Sequence, residues 1–293
     1  GFGRSSQSYN SFIIIALLAL GMAFFSCTEK SKQNIKKKGW VIDFIDEFEF
    51  FNDKNWQDQL LWVNNEDQCY VREGEYKTRE VSNGSLKLRL IKLEYERPCS
   101  SNISKFGEYH PDTRYVSGRL ASKNLQEFTG GRWTAKIKLN NAGEVGMFPA
   151  WWILGARNNE PPIQEPDENI CWPLPGSGEI DIMEHHGQHG GQTGYVGRSI
   201  LPLGTCDDGG DWWTNQVNLS SKLTEYNEYS VEWIENDLVF RLNGIEVGRN
   251  IGIAEKLLEP MFAILNYAKI SNDYTDGGWE MEIDWVKHEK WVN

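Results

Sequence analysis

The sequence lacks both long amphipathic helical patterns and an excess of basic residues. Lysine and arginine together number 30, against 42 aspartates and glutamates, which gives the 293 residues a net charge of −12. A surplus of negative charge disfavours nucleic acid or an anionic membrane surface as a partner. It also disfavours a sulfated or uronic-acid polymer, unless a local basic patch overrides it. The chain shows no internal repeat and no second domain.

Cysteine is scarce, and no two cysteines have the C-x-x-C spacing typical of a zinc site built on cysteine. Cys27 lies at the end of an apolar run. The remaining cysteines form an even set, which in an exported protein allows three disulfide pairings. This set, whose pairing the sequence leaves open, consists of Cys69, Cys99, Cys171 and Cys206.

The N-terminal apolar run, Phe12 to Phe25, is 14 residues long, too short for a typical transmembrane helix. Its length fits the hydrophobic region of a signal peptide. Because Phe24-Phe25-Ser26-Cys27 resembles a loose bacterial lipobox, we expect lipid attachment at Cys27, with ordinary cleavage nearby as the alternative. We therefore expect an exported protein, either a cell-envelope lipoprotein (outer membrane or cell surface) or a secreted one. The predicted organisation is a lipoprotein signal peptide at 1–27, a lysine-rich tether at 28–38 and one domain at 39–293.

Aromatic residues are abundant, and many short segments alternate apolar and polar residues as strands do. Arg132 to Leu139 is one such segment. Phe148 to Leu154 is nearly all apolar, as in a strand buried on both faces. Asn243-Gly244 is a strong hairpin signal, whereas the polar stretch 94–113, which contains two prolines, predicts a long loop. Short strands at regular spacing indicate an all-β sandwich.

Three carboxylates lie within the six residues Glu179 to Glu184. Side chains on a strand alternate between faces, so Glu179 and Asp181 share a face and Glu184 has the wrong parity. One extra residue, a β-bulge near Met183, brings Glu184 back to that face. A charged run is ordinarily a solvated edge strand. The apolar residues between these acids and the tryptophans nearby favour instead a packed strand that presents carboxylates to a sugar.

Together with these acids, several blocks of the chain resemble glycoside hydrolase family 16, most closely its laminarinase (endo-β-1,3-glucanase) branch. The resemblance covers nearly all of Trp40 to Val292, and it implies a jelly-roll β-sandwich of two curved antiparallel sheets with a concave substrate cleft. The blocks are Asp46-Glu47-Phe48, Trp62-Val63-Asn64-Asn65-Glu66, Ser117-Gly118-Arg119-Leu120, Phe148-Pro149-Ala150-Trp151-Trp152, Trp172-Pro173, Glu179 to Glu184 and Ile283-Asp284-Trp285-Val286.

The resemblance implies that Glu179 is the nucleophile, Asp181 an assisting acid and Glu184 the general acid/base of a retaining double displacement. No cofactor is needed for this catalysis. An ionised Glu179 keeps Glu184 protonated until the sugar esterifies Glu179, after which Glu184 can activate water. His185, His186 and His189 follow the acids, but the glycines around them disfavour a helix and with it a metal site. We expect these histidines to line the leaving-group side of the cleft.

The resemblance also implies substrate-binding and metal-binding positions. Trp152 and Trp172 are candidates for stacking on sugar rings, and burial in the core is the alternative for each. Asn64 and Arg119 match polar residues of the cleft, and their alternative is ordinary surface polarity or a salt bridge. Three further residues match positions that hold a structural Ca²⁺ in many members of the family. The alternative is that they bind no ion. The members of this set are Glu47, Gly84 and Asp284.

One departure leaves the linkage preference open. Many laminarinases carry a histidine on the strand after the acids, whereas Tyr195 to Ile200 has none and contains Arg198. Laminarin-type β-1,3-glucan is the first expected substrate, followed by mixed-linkage β-1,3/1,4-glucan and by a galactan such as agar or porphyran. A non-catalytic β-glucan-binding protein of the same fold is the alternative from another class, although such proteins typically lack the acids. We expect a monomer that meets the membrane only through its lipid.

Overall fold

The structure is a computed structural model that describes residues 38–187, 195–201, 206, 211–217 and 222–293. They belong to a compact unit that spans Lys37–Asn293. The predicted signal peptide, Cys27, nearly all of the tether and His189 lie outside the described residues. Within the described part of the chain, no helix is both long and apolar enough to cross a membrane.

Eighteen strands in the described residues form two sheets, which confirms the predicted all-β sandwich. The larger, ten-stranded sheet consists of β1 (Gly39–Asp46), β3 (Cys69–Tyr70), β4 (Arg79–Ser82), β5 (Ser85–Ile103), β6 (Tyr109–Ser117), β9 (Arg132–Leu139), β14 (Asn227–Ile234), β15 (Asp237–Leu242), β16 (Ile245–Asn250) and β18 (Gly277–Val292). The smaller, eight-stranded sheet consists of β2 (Gln57–Asp58), β7 (Arg119–Ala121), β8 (Glu127–Thr129), β10 (Met147–Gly155), β11 (Glu179–Glu184), β12 (Tyr195–Leu201), β13 (Asp211–Val217) and β17 (Pro260–Lys269). Short 3-10 turns occur at Glu75–Lys77, Pro166–Glu168 and Ala254–Leu257.

The strand order of the ten-stranded sheet is β16-β15-β14-β9-β18-β5-β6-β3, with β1 paired to β18 and β4 to β5. The order of the eight-stranded sheet is β13-β12-β11-β10-β17-β7-β2, with β8 paired to β17. Neighbouring strands among the described residues are antiparallel, as expected, except that β3 and β6 are parallel. β18 lies in the middle of its sheet, where it pairs with β1, β5 and β9.

The main core lies between the two sheets. Trp151 of β10 and Trp133 of β9 are both fully buried, and their rings meet edge to face with centroids 6.1 Å apart. The Nε1 of Trp151 donates to the carbonyl of Tyr229 at 3.2 Å, so its polar atom is satisfied inside the core. Burial of each large apolar side chain here, such as Ile153, contributes roughly 1.5–3 kcal/mol.

The prediction of a long loop at 94–113 is wrong, because β5 continues to Ile103 and β6 begins at Tyr109. The two strands form a long hairpin whose register shifts repeatedly between Lys92 and Ile103. Proline cannot donate to a ladder of backbone hydrogen bonds and is tolerated where pairing is irregular. Pro98 and Pro111 lie in such a stretch, which is why the sequence pattern looked like a loop.

Two disulfides select one of the three pairings that the sequence allows. Cys69 bonds to Cys99 and ties β3 to the long hairpin. Cys171 bonds to Cys206 and ties the segment before β11 to the segment after β12.

Candidate active site

A β-bulge in β11 brings the three acids to one face of the eight-stranded sheet. The register between β10 and β11 shifts at Trp151/Trp152, and Ile182 is the extra residue. The acids are paired to alternate residues of β10, which point to the same side. These pairs are Glu179 with Leu154, Asp181 with Trp152, and Glu184 with Ala150. The bulge inferred from parity is thereby confirmed.

The two faces of β11 have different surroundings. Ile180, Ile182 and Met183 are fully buried in the main core. The opposite face carries a smaller apolar cluster, against which Trp152 and Trp172 pack while each remains partly exposed. Asp181 and Glu184 on this face are only 3% and 5% exposed, and Glu179 is half-buried. Carboxylates this close in sequence and this shielded from water repel each other when ionised, an arrangement that suits acid/base chemistry.

Glu259 holds the turn that begins β11. Its Oε1 accepts the N–H of Gly178 at 2.7 Å, and the carbonyl of Gly178 accepts the N–H of Gly155 at 2.7 Å. Burial raises the pKa of the Glu259 carboxyl, and backbone hydrogen bonds from Gly178 and Gly176 act in the opposite direction. A Cβ on Gly178 would lie 2.6 Å from Leu257 and 2.7 Å from this Oε1, so both side chains would have to shift to accommodate one. Sequence reasoning missed Glu259, since no motif connects it to the acids.

Trp152 is held by a polar chain that crosses three strands. Its Nε1 donates to Oδ1 of Asn266 at 2.8 Å, and Nδ2 of Asn266 donates to the Tyr70 hydroxyl at 3.1 Å. The guanidinium carbon of Arg119 lies 5.0 Å from the centre of the Trp152 ring. The ring is therefore fixed in orientation, and its half-buried position on the face of the acids leaves part of it for a ligand.

Arg119 is 1% exposed, and it makes the salt bridge named as its alternative role. Its Nη2 donates to both carboxylate oxygens of Glu160 at 2.9 and 2.8 Å, and its Nε donates to Gln59 at 2.9 Å. The register places Arg119 opposite Asn266 on the face of the acids. Arg119 thus fastens the cleft-rim segment containing Glu160 to the sheet.

Glu66 is a buried carboxyl next to this network. It is 3% exposed, and its Oε2 accepts a hydrogen bond from Gln68 at 2.8 Å. Burial raises its pKa to about 7, although the Gln68 hydrogen bond and the charge of Arg119 favour the ionised form. Asn64, predicted to bind substrate, lies two residues earlier on an exposed turn with φ of 53°.

Trp172 and the histidines lie on either side of the acids in the chain. Trp172 packs on the same apolar cluster as Trp152. His185 is fully buried, and the ring of His186 stacks on Phe148 with centroids 4.3 Å apart. The backbone of Arg198 on β12 lies opposite Asp181. Among the described residues, no three histidine, cysteine or acidic side chains are arranged so that they could hold a metal ion.

The three positions predicted for calcium lie near one stretch of β18. Asp46 pairs with Val286 and Leu86 with Ile283, which brings Glu47 and Gly84 toward Asp284. Carboxylate and carbonyl oxygens suit Ca²⁺. The Asp284 carboxylate, however, lies 3.4 Å from the Lys136 ammonium, which already supplies a positive charge. The calcium site stays a prediction.

The model of the family "Glycosyl hydrolases family 16" matches residues 64–287. The chain belongs to glycoside hydrolase family 16. It is a glycoside hydrolase, and its two sheets form the jelly roll of the laminarinase-like members. A glucan endo-1,3-beta-glucosidase from Cryptopygus antarcticus is 24% identical over 281 residues, covering 86% of this chain and 93% of that protein.

Solved structures agree with this assignment. One is LamA from Z. galactanivorans, crystallised in complex with laminaritriose and laminaritetraose. It is 25% identical to this chain with a TM-score of 0.66, and the match covers 85% of this chain and 99% of the LamA chain. The catalytic domain of a laminarinase from Thermotoga petrophila RKU-1 is 21% identical with a TM-score of 0.67 and covers 88% and 100% of the two chains. The second likeness shows the shared fold.

Proposed function

We propose that the protein is a retaining endo-hydrolase of β-1,3(4)-glucan, with laminarin-type β-1,3-glucan as its first substrate. The main observation behind this proposal is the register shift in β11, which puts Glu184 on the same face as Glu179 and Asp181. The aromatic platform of Trp152 beside these acids supports a sugar ligand. The names of the similar glucanases support the glucan class.

In the proposed reaction, the Glu179 carboxylate attacks the anomeric carbon while Glu184 donates its proton to the leaving glycosidic oxygen. A covalent glycosyl ester on Glu179 results, and the leaving sugar departs with the proton. Glu184, now ionised, removes a proton from water, whose oxygen attacks the anomeric carbon and releases Glu179. Two inversions give net retention, and no cofactor takes part. Asp181, between the two on the same face, orients the nucleophile.

A panel of polysaccharides scored for new reducing ends tests this function. Wild-type protein should cut laminarin and, more slowly, mixed-linkage glucan, whereas Glu179→Gln should lose at least about 10³-fold in kcat, because the nucleophile is gone. Cleavage of agar or porphyran alone would replace the glucan assignment with a galactan one. Binding of β-glucan without cleavage would indicate a binding protein.

The acid/base assignment has a separate test. Glu184→Ala should lose roughly 10²–10⁴-fold on laminarin, because protonation of the leaving oxygen is lost. An aryl β-laminaribioside with an acidic phenol carries a leaving group that needs little protonation. Glu184→Ala should therefore retain most of the wild-type rate of glycosyl-ester formation on this probe. Added azide should then yield a β-glycosyl azide. An α-azide would contradict the retaining mechanism, and no rescue with either probe would contradict the role of Glu184.

A further inference from the structure

A cavity of about 620 Å³ opens at one edge of the sandwich, where β2 of the eight-stranded sheet faces β4 of the ten-stranded sheet. We call it the β2 pocket. Its walls include Gln57, Gln59 and Asp58 of the β2 segment, Arg79 of β4 and Phe51. Its volume lies within the range of sites that hold small ligands.

The β2 pocket begins where the face of the acids ends. Asp181 and the pocket wall lie in the same row of directly paired residues, which crosses the sheet from strand to strand. The row runs Asp181, Trp152, Ile264, Ala121 and Gln57. Four strand spacings separate its ends, or roughly 19 Å. Gln59, whose Oε1 accepts from Arg119 and whose Nε2 donates to the carbonyl of Pro161 at 2.7 Å, joins the cleft rim to the pocket.

The inside of the pocket combines an aromatic ring with fixed polar groups. The guanidinium carbon of Arg79 lies 3.7 Å from the centre of the Phe51 ring, and the Arg79 Nε lies 3.1 Å from Asp58 Oδ1. Leu60 and Leu125 add apolar surface. The lining thus combines apolar side chains with polar groups that can hydrogen-bond to a small polar ligand.

The charges of the lining favour a neutral ligand. Two arginines, Arg72 and Arg79, face three acids, Asp53, Asp58 and Glu73. The surplus of one negative charge does not attract a sulfated or carboxylated sugar. Exposed Arg72, Asp53 and Glu73 at the mouth offer both donors and acceptors for sugar hydroxyls.

We propose that the β2 pocket is a distal subsite that binds a neutral hexose unit of the same polysaccharide chain whose bond is cut at the acids. This inference rests on the proposed function. A chain that fills the cleft leaves the sheet at β2 and places its next unit, or a branch, in the pocket. Long substrates therefore gain affinity that short ones cannot gain.

Filling the pocket tests this proposal. Ser101 is exposed and lines the pocket, whereas the adjacent Ser100 is exposed and lies outside the lining. Ser101→Trp should fill the pocket, and Ser100→Trp is the matched control. The probes are laminarin and a series of laminari-oligosaccharides of increasing length, with kcat/KM measured for each.

Ser101→Trp should lower kcat/KM about fivefold to tenfold on laminarin and leave the shortest cleaved oligosaccharide unchanged, while Ser100→Trp should match wild type on both. Equal behaviour of the two variants on laminarin, or an equal loss on every length in Ser101→Trp, would overturn the subsite. If wild type cuts neither probe, the proposed function itself fails. Direct binding of the longest oligosaccharide in the Glu179→Gln background should weaken by the same factor with Ser101→Trp, and unchanged binding would contradict the proposal.

Discussion

At the scale of single residues, the orientation of Trp152, which we propose stacks on a sugar ring, depends on one amide. Asn266 is 4% exposed and accepts from Trp152 while donating to Tyr70. Neither contact is visible in the sequence, where Asn266 is one polar residue within the apolar strand β17. Its partners come from β10 and β3, so it can be recognised only when the strand order is known. Motifs identify residues that react, whereas the residues that hold them in place have no fixed spacing.

Asn266→Leu should therefore raise KM for laminarin about tenfold with a smaller change in kcat, because the Trp152 ring loses its orientation. The loss of both hydrogen bonds should also lower the free energy of unfolding by about 1–3 kcal/mol. Tyr70→Phe, which keeps the bond between Asn266 and Trp152, is the control and should leave KM nearly unchanged. Steady-state kinetics and urea unfolding measure both effects. An unchanged KM in Asn266→Leu would contradict this role of the amide.

Glu66 should make stability depend on pH. Its pKa rises from 4.5 to about 7 in the folded protein. Folded protein thus binds more protons than unfolded protein between these values, so stability falls as pH rises from 4.5 to 7 and stays reduced above 7. Glu66→Gln removes this loss, and its stability relative to wild type should increase by roughly 3 kcal/mol between pH 4.5 and pH 8. Urea unfolding at several pH values measures the difference, and a difference independent of pH would contradict it.

At the scale of elements, β11 was predictable and the long hairpin was not. Parity alone required a bulge near Met183, since three acids at spacings of two and three residues cannot share one face of a regular strand. No such constraint acts on 94–113, where Pro98, Pro111 and repeated register shifts hide the alternation. The pairing there is set by tertiary contacts, including the bond between Cys69 and Cys99. A local pattern can predict a strand only where its hydrogen bonding is regular.

Gly178→Ala tests how strictly the turn before β11 positions Glu179, the proposed nucleophile. The added methyl would meet Leu257 and Glu259 at distances that real Cβ atoms do not show. We expect a loss of about 1–3 kcal/mol in the free energy of unfolding and a fall in kcat, because Glu179 follows directly. Leu257→Ala in the same chain removes one of the two clashes and should restore part of the stability. Independent, additive effects of the two substitutions would show that the turn is not sterically constrained.

At the scale of the whole molecule, we propose that Cys27 anchors the protein to the cell envelope by a lipid. Expressed in a bacterium that processes lipoproteins, the full chain should take up labelled palmitate and sediment with the membrane fraction. Cys27→Ser should lose the label and leave that fraction, while activity on laminarin stays the same because the acids are on the folded unit. Soluble, unlabelled wild-type protein would support ordinary cleavage.

The position of β18 also determines when, during synthesis, the ten-stranded sheet can be completed. This strand is made from residues 277–292, yet it fills the centre of the ten-stranded sheet and pairs with β1, which begins at Gly39. Synthesis adds residues in order, so the sheet stays divided until nearly all of this sequence has emerged. Such non-local pairing folds slowly. The two parts of this sheet therefore cannot join for most of the synthesis, and a chain exported as we propose would still be able to pass through a narrow translocation channel.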